Sequence, residues 1–228
     1  MKIRQLFDYD TWTYTYLIWD EATKEAAIID TVIEQVERDF QLVTELGLTV
    51  KYLLETHVHA DHITGAGALR KKTGAQIVIH KNSNSSCADI LTSENEVLTL
   101  GQQKIRILHT PGHTDNDSTY LIEGAAFTGD ALLIRDCGRT DFQLGSNKAL
   151  YHSITQKLFT LPNDTLVFPA HDYKGLNQST IAEERAFNAR IGAGKSLETF
   201  STLMDSLNLP NPKRIHIAVP SNLKCGDV

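Results

Sequence analysis

Four metal-competent side chains stand within six residues at Thr56-His57-Val58-His59-Ala60-Asp61-His62, directly after the apolar run Val50-Lys51-Tyr52-Leu53-Leu54. A strand that ends in such a cluster needs a scaffold that brings further ligands to the same point. On an extended segment, residues two apart share a face. His57, His59 and Asp61 are therefore expected to converge, while His62 opens the next element and approaches from another side. A solvated loop has no use for this concentration of imidazole and carboxylate; a metal or catalytic centre does.

Three later segments repeat the arrangement of a polar residue just past an apolar strand. Thr110-Pro111-Gly112-His113-Thr114 is a turn that fixes the angle of His113. Phe127-Thr128-Gly129-Asp130 ends a short apolar run in a carboxylate, and Pro169-Ala170-His171-Asp172 follows a fourth strand. Alone, a Gly-His or a Gly-Asp is an ordinary turn. With the first cluster they mark one site, because ligands of layered α/β proteins gather beyond the carboxyl ends of the strands.

The periodicity supports that class. Strands are expected at 13–19, 26–30, 50–54, 76–79, 104–109, 118–122, 125–128 and 165–169. Helices are expected at 32–46 (capped by Thr31 and stopped by Gly47), 65–72, 147–160, 180–189 and 196–207. Thr180-Ile181-Ala182-Glu183 has the spacing of a capping box. Strands and helices alternate in two groups, which implies an α/β layered fold forming one domain over residues 1–228.

Composition narrows the partners. Hydrophobic residues make up 41% and charged residues 22%, the balance of a globular chain rather than a disordered, collagen-like or disulfide-scaffold one. The formal net charge of -6 argues against nucleic acid, whose phosphates call for a basic face. No membrane span is expected, since no stretch approaches the roughly 20 apolar residues required. The N-terminus has neither the apolar run of a signal peptide nor an Arg/Ser-rich transit pattern. Cys87, Cys137 and Cys225 are odd in number and far apart, so they are read as unpaired thiols in a reduced, cytoplasmic setting. Cys137 is read as a small buried hydrophobe, and His80, His109, His152 and His216 as structural or exposed.

The order His-x-His-x-Asp-His, Gly-His, Gly-Asp, His resembles the metallo-β-lactamase fold superfamily through most of the chain. The resemblance implies a four-layer αββα sandwich with metals at one edge of its two sheets. It sharpens at Glu55 to Gly65, at Gly129-Asp130-Ala131-Leu132-Leu133-Ile134-Arg135-Asp136-Cys137-Gly138-Arg139-Thr140-Asp141-Phe142-Gln143, at Tyr151-His152-Ser153, at Pro169 to Tyr173 and at Pro220-Ser221-Asn222-Leu223-Lys224-Cys225-Gly226. These segments are similar to the ethylmalonic-encephalopathy-protein-like persulfide dioxygenases.

The superfamily scaffold can hold two metals, one on His57, His59 and His113 and one on Asp61, His62 and His171, bridged by Asp130. The dioxygenase family implies one Fe(II) per chain on His57, His113 and Asp130, a two-His, one-carboxylate triad with open positions. His59, Asp61, His62 and His171 would then surround the ligands and orient them and solvent. The implied reaction converts glutathione persulfide, O2 and water to sulfite and glutathione. Arg139, Tyr173 and Arg190 match positions that line the family's substrate pocket, with Lys224 and Asn222 as further candidates. Homodimers are common among relatives, and a homodimer is the expected assembly by analogy.

One stretch departs from the family pattern. After His113-Thr114 a neutral Pro-Gly-Cys type of turn is expected, and Asp115-Asn116-Asp117-Ser118 stands there instead. Two added carboxylates beside a ligand would lower the local potential or disfavour an anionic substrate. The competing reading is a glyoxalase-II-like thioester hydrolase with a dinuclear site, since all seven superfamily ligand types are present. That family usually continues Cys-Gly-Arg with Phe-Glu-Gly and carries a longer C-terminal helical region, whereas this sequence continues with Thr140-Asp141-Phe142-Gln143 and stops at Val228. A non-catalytic binding domain would be marked by a lost ligand, and none is lost. No room is left for the rhodanese domain that some relatives carry fused.

Overall fold

β-branched and aromatic residues set the first thirty positions into three strands of the computed structural model, which describes residues 1–226: β1 (Lys2–Asp8), β2 (Thr13–Trp19) and β3 (Glu25–Ile29). A 3-10 turn at Ile33–Gln35 leads into α1 (Val36–Glu45), then β4 (Thr49–Leu54), α2 (Ala66–Thr73), β5 (Gln76–His80) and β6 (Ile90–Thr92). These strands lie side by side in chain order in one mixed sheet. The parallel step from β3 to β4 needs a crossover, which α1 supplies.

The second sheet holds β7 (Val97–Leu100), β8 (Gln103–His109), β9 (Ser118–Ile122), β10 (Ala125–Gly129), β11 (Leu166–Pro169) and β12 (Ser179–Thr180), again in sequential order. Its helices are α3 (Asn147–His152), α4 (Ile181–Phe187), α5 (Leu197–Asp205) and α6 (Ile215–Asn222). Among the described residues no helix is long and apolar enough to cross a membrane.

Three buried clusters define the layers. Tyr16, Ile18, Ile29 and Leu54 of the first sheet meet Ile107, Tyr120, Phe127 and Phe168 of the second. The outer face of the first sheet packs Leu53 and Ile77 on Val43 and Leu69 of α1 and α2. The outer face of the second packs Val167 on Leu150, Ile181 and Phe200 of α3, α4 and α5. The result is the expected αββα sandwich. Each fully buried aromatic contributes about 2–3 kcal/mol relative to exposure, and two of them also carry hydrogen bonds to the strand ends. Tyr16 donates to the Pro169 carbonyl at 2.6 Å and Tyr120 to the Glu55 carbonyl at 2.8 Å. The inter-sheet core thereby fixes the points where two site loops leave the sheets.

The element boundaries depart from the periodicity in a few informative places. Thr31 does not cap α1; its hydroxyl bonds Thr64 Oγ1 at 3.0 Å and Glu55 Oε1 at 3.4 Å, and α1 has no side-chain cap. The expected helix at 147–160 loosens after α3 into a π turn, Ser153–Lys157, and a 3-10 turn, Leu158–Thr160. The capping box of Thr180 and Glu183 is present as expected. The periodicity gives no helix beyond 207, yet α6 forms with Pro220 inside it; the carbonyl of His216, which the proline leaves without its helical donor, belongs to an exposed residue.

Two cysteines correct the reading of unpaired thiols. Cys87 and Cys225 form a disulfide across 138 residues of sequence, and Cys137 is the free, buried cysteine. Sequence distance hid a pair that α6 brings to the segment after β5. Burial pushes the Cys137 thiol up to about 12, so it is inert as a nucleophile.

Candidate metal centre

Four loops leave the carboxyl ends of β4, β8, β10 and β11 at one edge of the sandwich, and each delivers ligand-type side chains. His57, His59 and His62 come from the first, His113 from the second, Asp130 from the third and His171 from the fourth. All five histidines are buried. Ala170 N–H donates to the Gly129 carbonyl at 3.0 Å and Ser118 N–H to the Thr56 carbonyl at 2.8 Å, which sews neighbouring loops together.

His57, His113 and Asp130 place their ligand atoms within 4.8 Å of one another. The imidazole tautomers follow from the partners. His113 Nδ1 lies 2.7 Å from the Arg139 carbonyl, which can only accept, so Nδ1 carries the proton. Its Nε2 lone pair then faces Asp130 Oδ2 at 3.7 Å, too far for a hydrogen bond but within reach of one ion bonded to both at about 2.1 Å each. Thr56 Oγ1 donates to Asp30 Oδ2 at 2.9 Å and therefore accepts from His57 Nδ1 at 3.0 Å. His57 Nε2 is left free in the same way. Burial, and then the neighbouring His59 and His113, hold the His57 pKa well below the usual imidazole range, so its lone pair is available. The donor set fits a divalent metal on two neutral imidazoles and a carboxylate.

Asp130 completes the set as an anion. Burial alone would raise its pKa, but His171 and then His113 and His57 pull it well below the carboxylate range. Its Oδ1 accepts from His171 Nδ1 at 2.8 Å, and His171 Nε2 lies 3.0 Å from Asp61 Oδ2. Held between two carboxylates, His171 is raised well above the imidazole range despite its burial. Asp61 also bonds His62 Nδ1 at 2.9 Å.

The expected convergence of His57, His59 and Asp61 does not occur as drawn from strand alternation. β4 ends at Leu54, the following loop bends, and the three side chains find different partners. The His57 and His59 rings are 4.0 Å apart, yet His59 Nε2 turns to Asp30 Oδ1 at 3.1 Å and Glu55 Oε2 at 3.6 Å. His59, Asp61 and His62 form a second group of converging ligand atoms. His62 lies in the loop, four residues before α2.

A model of the metallo-beta-lactamase superfamily matches residues 13–171, the span from β2 through the last candidate ligand. The mouse protein named persulfide dioxygenase ETHE1, mitochondrial, is 49% identical over 227 residues, covering 98% of this chain and 88% of its own. The crystal structure of ETHE1 from Myxococcus xanthus superposes with a TM-score of 0.97 at 53% identity and full coverage of both chains. The chain belongs to the persulfide dioxygenase family of the metallo-β-lactamase superfamily. It is thus an enzyme, and its four-layer fold is that of the superfamily. A metallo-beta-lactamase from Staphylococcus aureus is also similar, with a TM-score of 0.89 at 25% identity over 99% of this chain and 72% of that one.

The five other residues marked in the sequence take different positions. Arg139 sits beside the centre: its carbonyl holds His113, its guanidinium makes two 2.6 Å bonds to Asp141, and it lies over the Phe142 ring at 4.9 Å. Tyr173 is 62% exposed and stacks on His171 at 6.1 Å. Arg190 pairs with Asp136 and donates to the Cys137 carbonyl at 3.0 Å. Lys224 is exposed. Asn222 is buried, and the bonds of its side chain all go to the backbone of the first site loop.

The departure at Asp115 and Asp117 is milder than the sequence suggests. Asp117 is buried and accepts from the Thr114 amide at 2.6 Å and hydroxyl at 3.0 Å, so it does not face an incoming substrate. Burial lifts its pKa to about 7. Asp115 is half-buried and accepts from Asn116 Nδ2 at 3.2 Å. Sequence reasoning missed Asp30, Glu55 and Thr56 as site residues. A signal was there for Asp30, since Ile28-Ile29-Asp30 repeats the strand-then-carboxylate pattern of Phe127 to Asp130.

Proposed function

We propose that this enzyme is an Fe(II)-dependent persulfide dioxygenase that holds one iron per chain on His57, His113 and Asp130 and converts glutathione persulfide, O2 and water to glutathione and sulfite. The observation that carries the reading is the pair of preset imidazole tautomers, which aim two Nε2 lone pairs at the free oxygen of Asp130. Bound there, ferrous iron supplies open coordination positions for oxygen and a sulfur ligand.

The protein's own groups do the rest. Thr56 and the Arg139 carbonyl hold the rings against rotation. His171 donates from both nitrogens, keeps Asp130 ionised and leaves its Oδ2 turned to His113. Burial of the five histidines limits the water that could compete at the centre. Arg139 and Tyr173, at the rim, are assigned to the glutathione part of the substrate. A shallow groove bordered by Arg139, Thr140, Asp141, Met204 and Leu209 supports that placement; Asp141 holds the arginine fork in the free enzyme, and a substrate carboxylate would take its place there. The third oxygen of sulfite comes from the water, so the persulfide S–S bond breaks and glutathione leaves as the thiol.

The test is oxygen uptake by anaerobically iron-loaded protein given glutathione persulfide, with metal per chain measured on the same sample. Uptake with sulfite at about one iron per chain is the expected result. Two metals per chain with thioester cleavage and no uptake would establish the hydrolase instead. The unpartnered, buried His59 Nδ1 and His62 Nε2 are the observation on that side. The compartment is left to fractionation, and a homodimer is kept as the assembly by analogy, to be tested by light scattering. The mouse, bovine and human relatives are named as mitochondrial, and the thiol argument for a reduced compartment ends with the Cys87–Cys225 bond.

A further inference from the structure

The C-terminal helix ends against the back of the first site loop. Asn222, its last residue, donates from Nδ2 to the carbonyls of His59 and His62, each at 2.9 Å, and accepts from the Thr64 amide at 2.9 Å. One planar head with two donor hydrogens and one acceptor matches two carbonyls and an amide. Neither an aspartate nor an apolar side chain of the same shape can do so.

The helix end is itself held tightly. Cys225 is bonded to Cys87, the Gly67 amide donates to the Cys225 carbonyl at 2.9 Å, and the Ser86 amide to the Leu223 carbonyl at 3.0 Å. Gly226, at φ +80°, passes so near the loop that a Cβ there would stand 2.1 Å from the Thr64 carbonyl oxygen. A small cavity is bordered by Glu55, His57 and Thr64 of the loop side and by Asn222 and Cys225 of the anchor.

We propose that Asn222 is a positioning residue: acting from α6, it sets the path of residues 59–64, and with it the seat of Asp61, whose carboxylate holds the His171 that bonds Asp130, without touching substrate. The proposal rests on the reading that the centre holds a metal. It replaces the expectation that Asn222 meets the glutathione handle, because its amide already has three partners in the protein.

The test uses the full chain with Asn222→Asp, which replaces the donating NH2 by one oxygen facing two carbonyls, and Asn222→Leu, which keeps the shape without the bonds. Co(II) is titrated into each protein and followed by its visible absorption, which reports ligand geometry, and kcat and KM for glutathione persulfide are measured on iron-loaded samples. Both variants are expected to bind Co(II) about 10–100-fold more weakly and to shift its spectrum, with KM unchanged at full loading. An unchanged Co(II) affinity and spectrum with a raised KM would make Asn222 a substrate contact and overturn the proposal. Should both variants fail to fold, amide exchange of the wild-type protein decides. Strong protection of the Thr64 amide is expected, and exchange at the rate of a free loop would overturn the clamp. A wild-type chain that bound no metal would remove the metal reading, while the exchange result would still judge the clamp.

Discussion

Replacing Thr56 by valine removes one oxygen and almost no volume, and it separates the tautomer argument from packing. In the wild type that oxygen donates to Asp30 Oδ2 at 2.9 Å and accepts from His57 Nδ1 at 3.0 Å. Asp30 keeps the Thr56 amide at 2.8 Å and His59 Nε2 at 3.1 Å, both on Oδ1, so the carboxylate is weakened rather than stranded. Losing one hydrogen bond to a charged group costs about 1.5–3 kcal/mol, and a buried imidazole N–H left without a partner about 1–3 kcal/mol. The sum is about 4 kcal/mol for the metal-free protein. At about 2–4 °C per kcal/mol for a domain of this size, Tm should fall by about 12 °C. Metal affinity should fall by about 10–100-fold, because His57 is free to rotate or to protonate the wrong nitrogen. Calorimetry of the metal-free protein and a Co(II) titration supply both numbers, and Thr56→Ser should restore them. A valine variant with wild-type Tm and wild-type metal affinity would refute the assignment of the hydroxyl as the anchor of His57.

Three further outcomes are expected. Gly138→Ala should lower metal affinity by at least about tenfold, because the new Cβ would stand 2.9 Å from the His113 ring and 2.5 Å from the Asp130 carbonyl oxygen; a metal titration reads it directly. Asp117, raised from 3.8 to about 7 in the fold, binds a proton more tightly when folded. Its contribution is therefore full below about pH 3.8 and is lost as pH rises through about 7. Asp117→Asn should gain up to about 4 kcal/mol on metal-free wild type at pH 8, with the gap closing toward pH 4 in denaturant titrations; equal curves at both pH values would contradict the raised pKa. Thiol counting under denaturing, non-reducing conditions should find one thiol per chain and three after reduction. Reduction should also remove about 2–4 kcal/mol of stability, read as a shift in the urea midpoint.

Most strands and the four ligand-bearing turns were legible in the sequence because they rest on local rules. β-branched and aromatic content marks β2, a capping box marks the start of α4, and an apolar run broken by a histidine or carboxylate marks each site loop. What escaped depends on partners far away in the chain. Thr31 looked like a helix cap, but its hydroxyl is claimed by Thr64 and Glu55 once β3 and β4 are neighbours. α6 was hidden by Pro220, and with it the disulfide and the role of Asn222. His59 looked like a ligand by spacing alone, yet the bend after Leu54 turns it toward Asp30 and Glu55. Each loop brings its marked side chain to the same edge of the sandwich; the first, richest in candidates, divides them between two groups because a loop does not keep the twofold period of a strand.

His57 leaves the first sheet, whereas His113 and Asp130 leave the second. An ion shared by these three residues works as a rivet across the seam of the sandwich. The first sheet would offer such an ion one donor and the second two, so full coordination would wait until the two sheets have docked, and heat that parts them would weaken it. At a hundred times its dissociation constant such an ion would add about 2.7 kcal/mol to the assembled form. If the centre is loaded as proposed, a nascent or half-unfolded chain would lack one of its three donors, and the geometry of the seam would confine the chemistry to finished molecules.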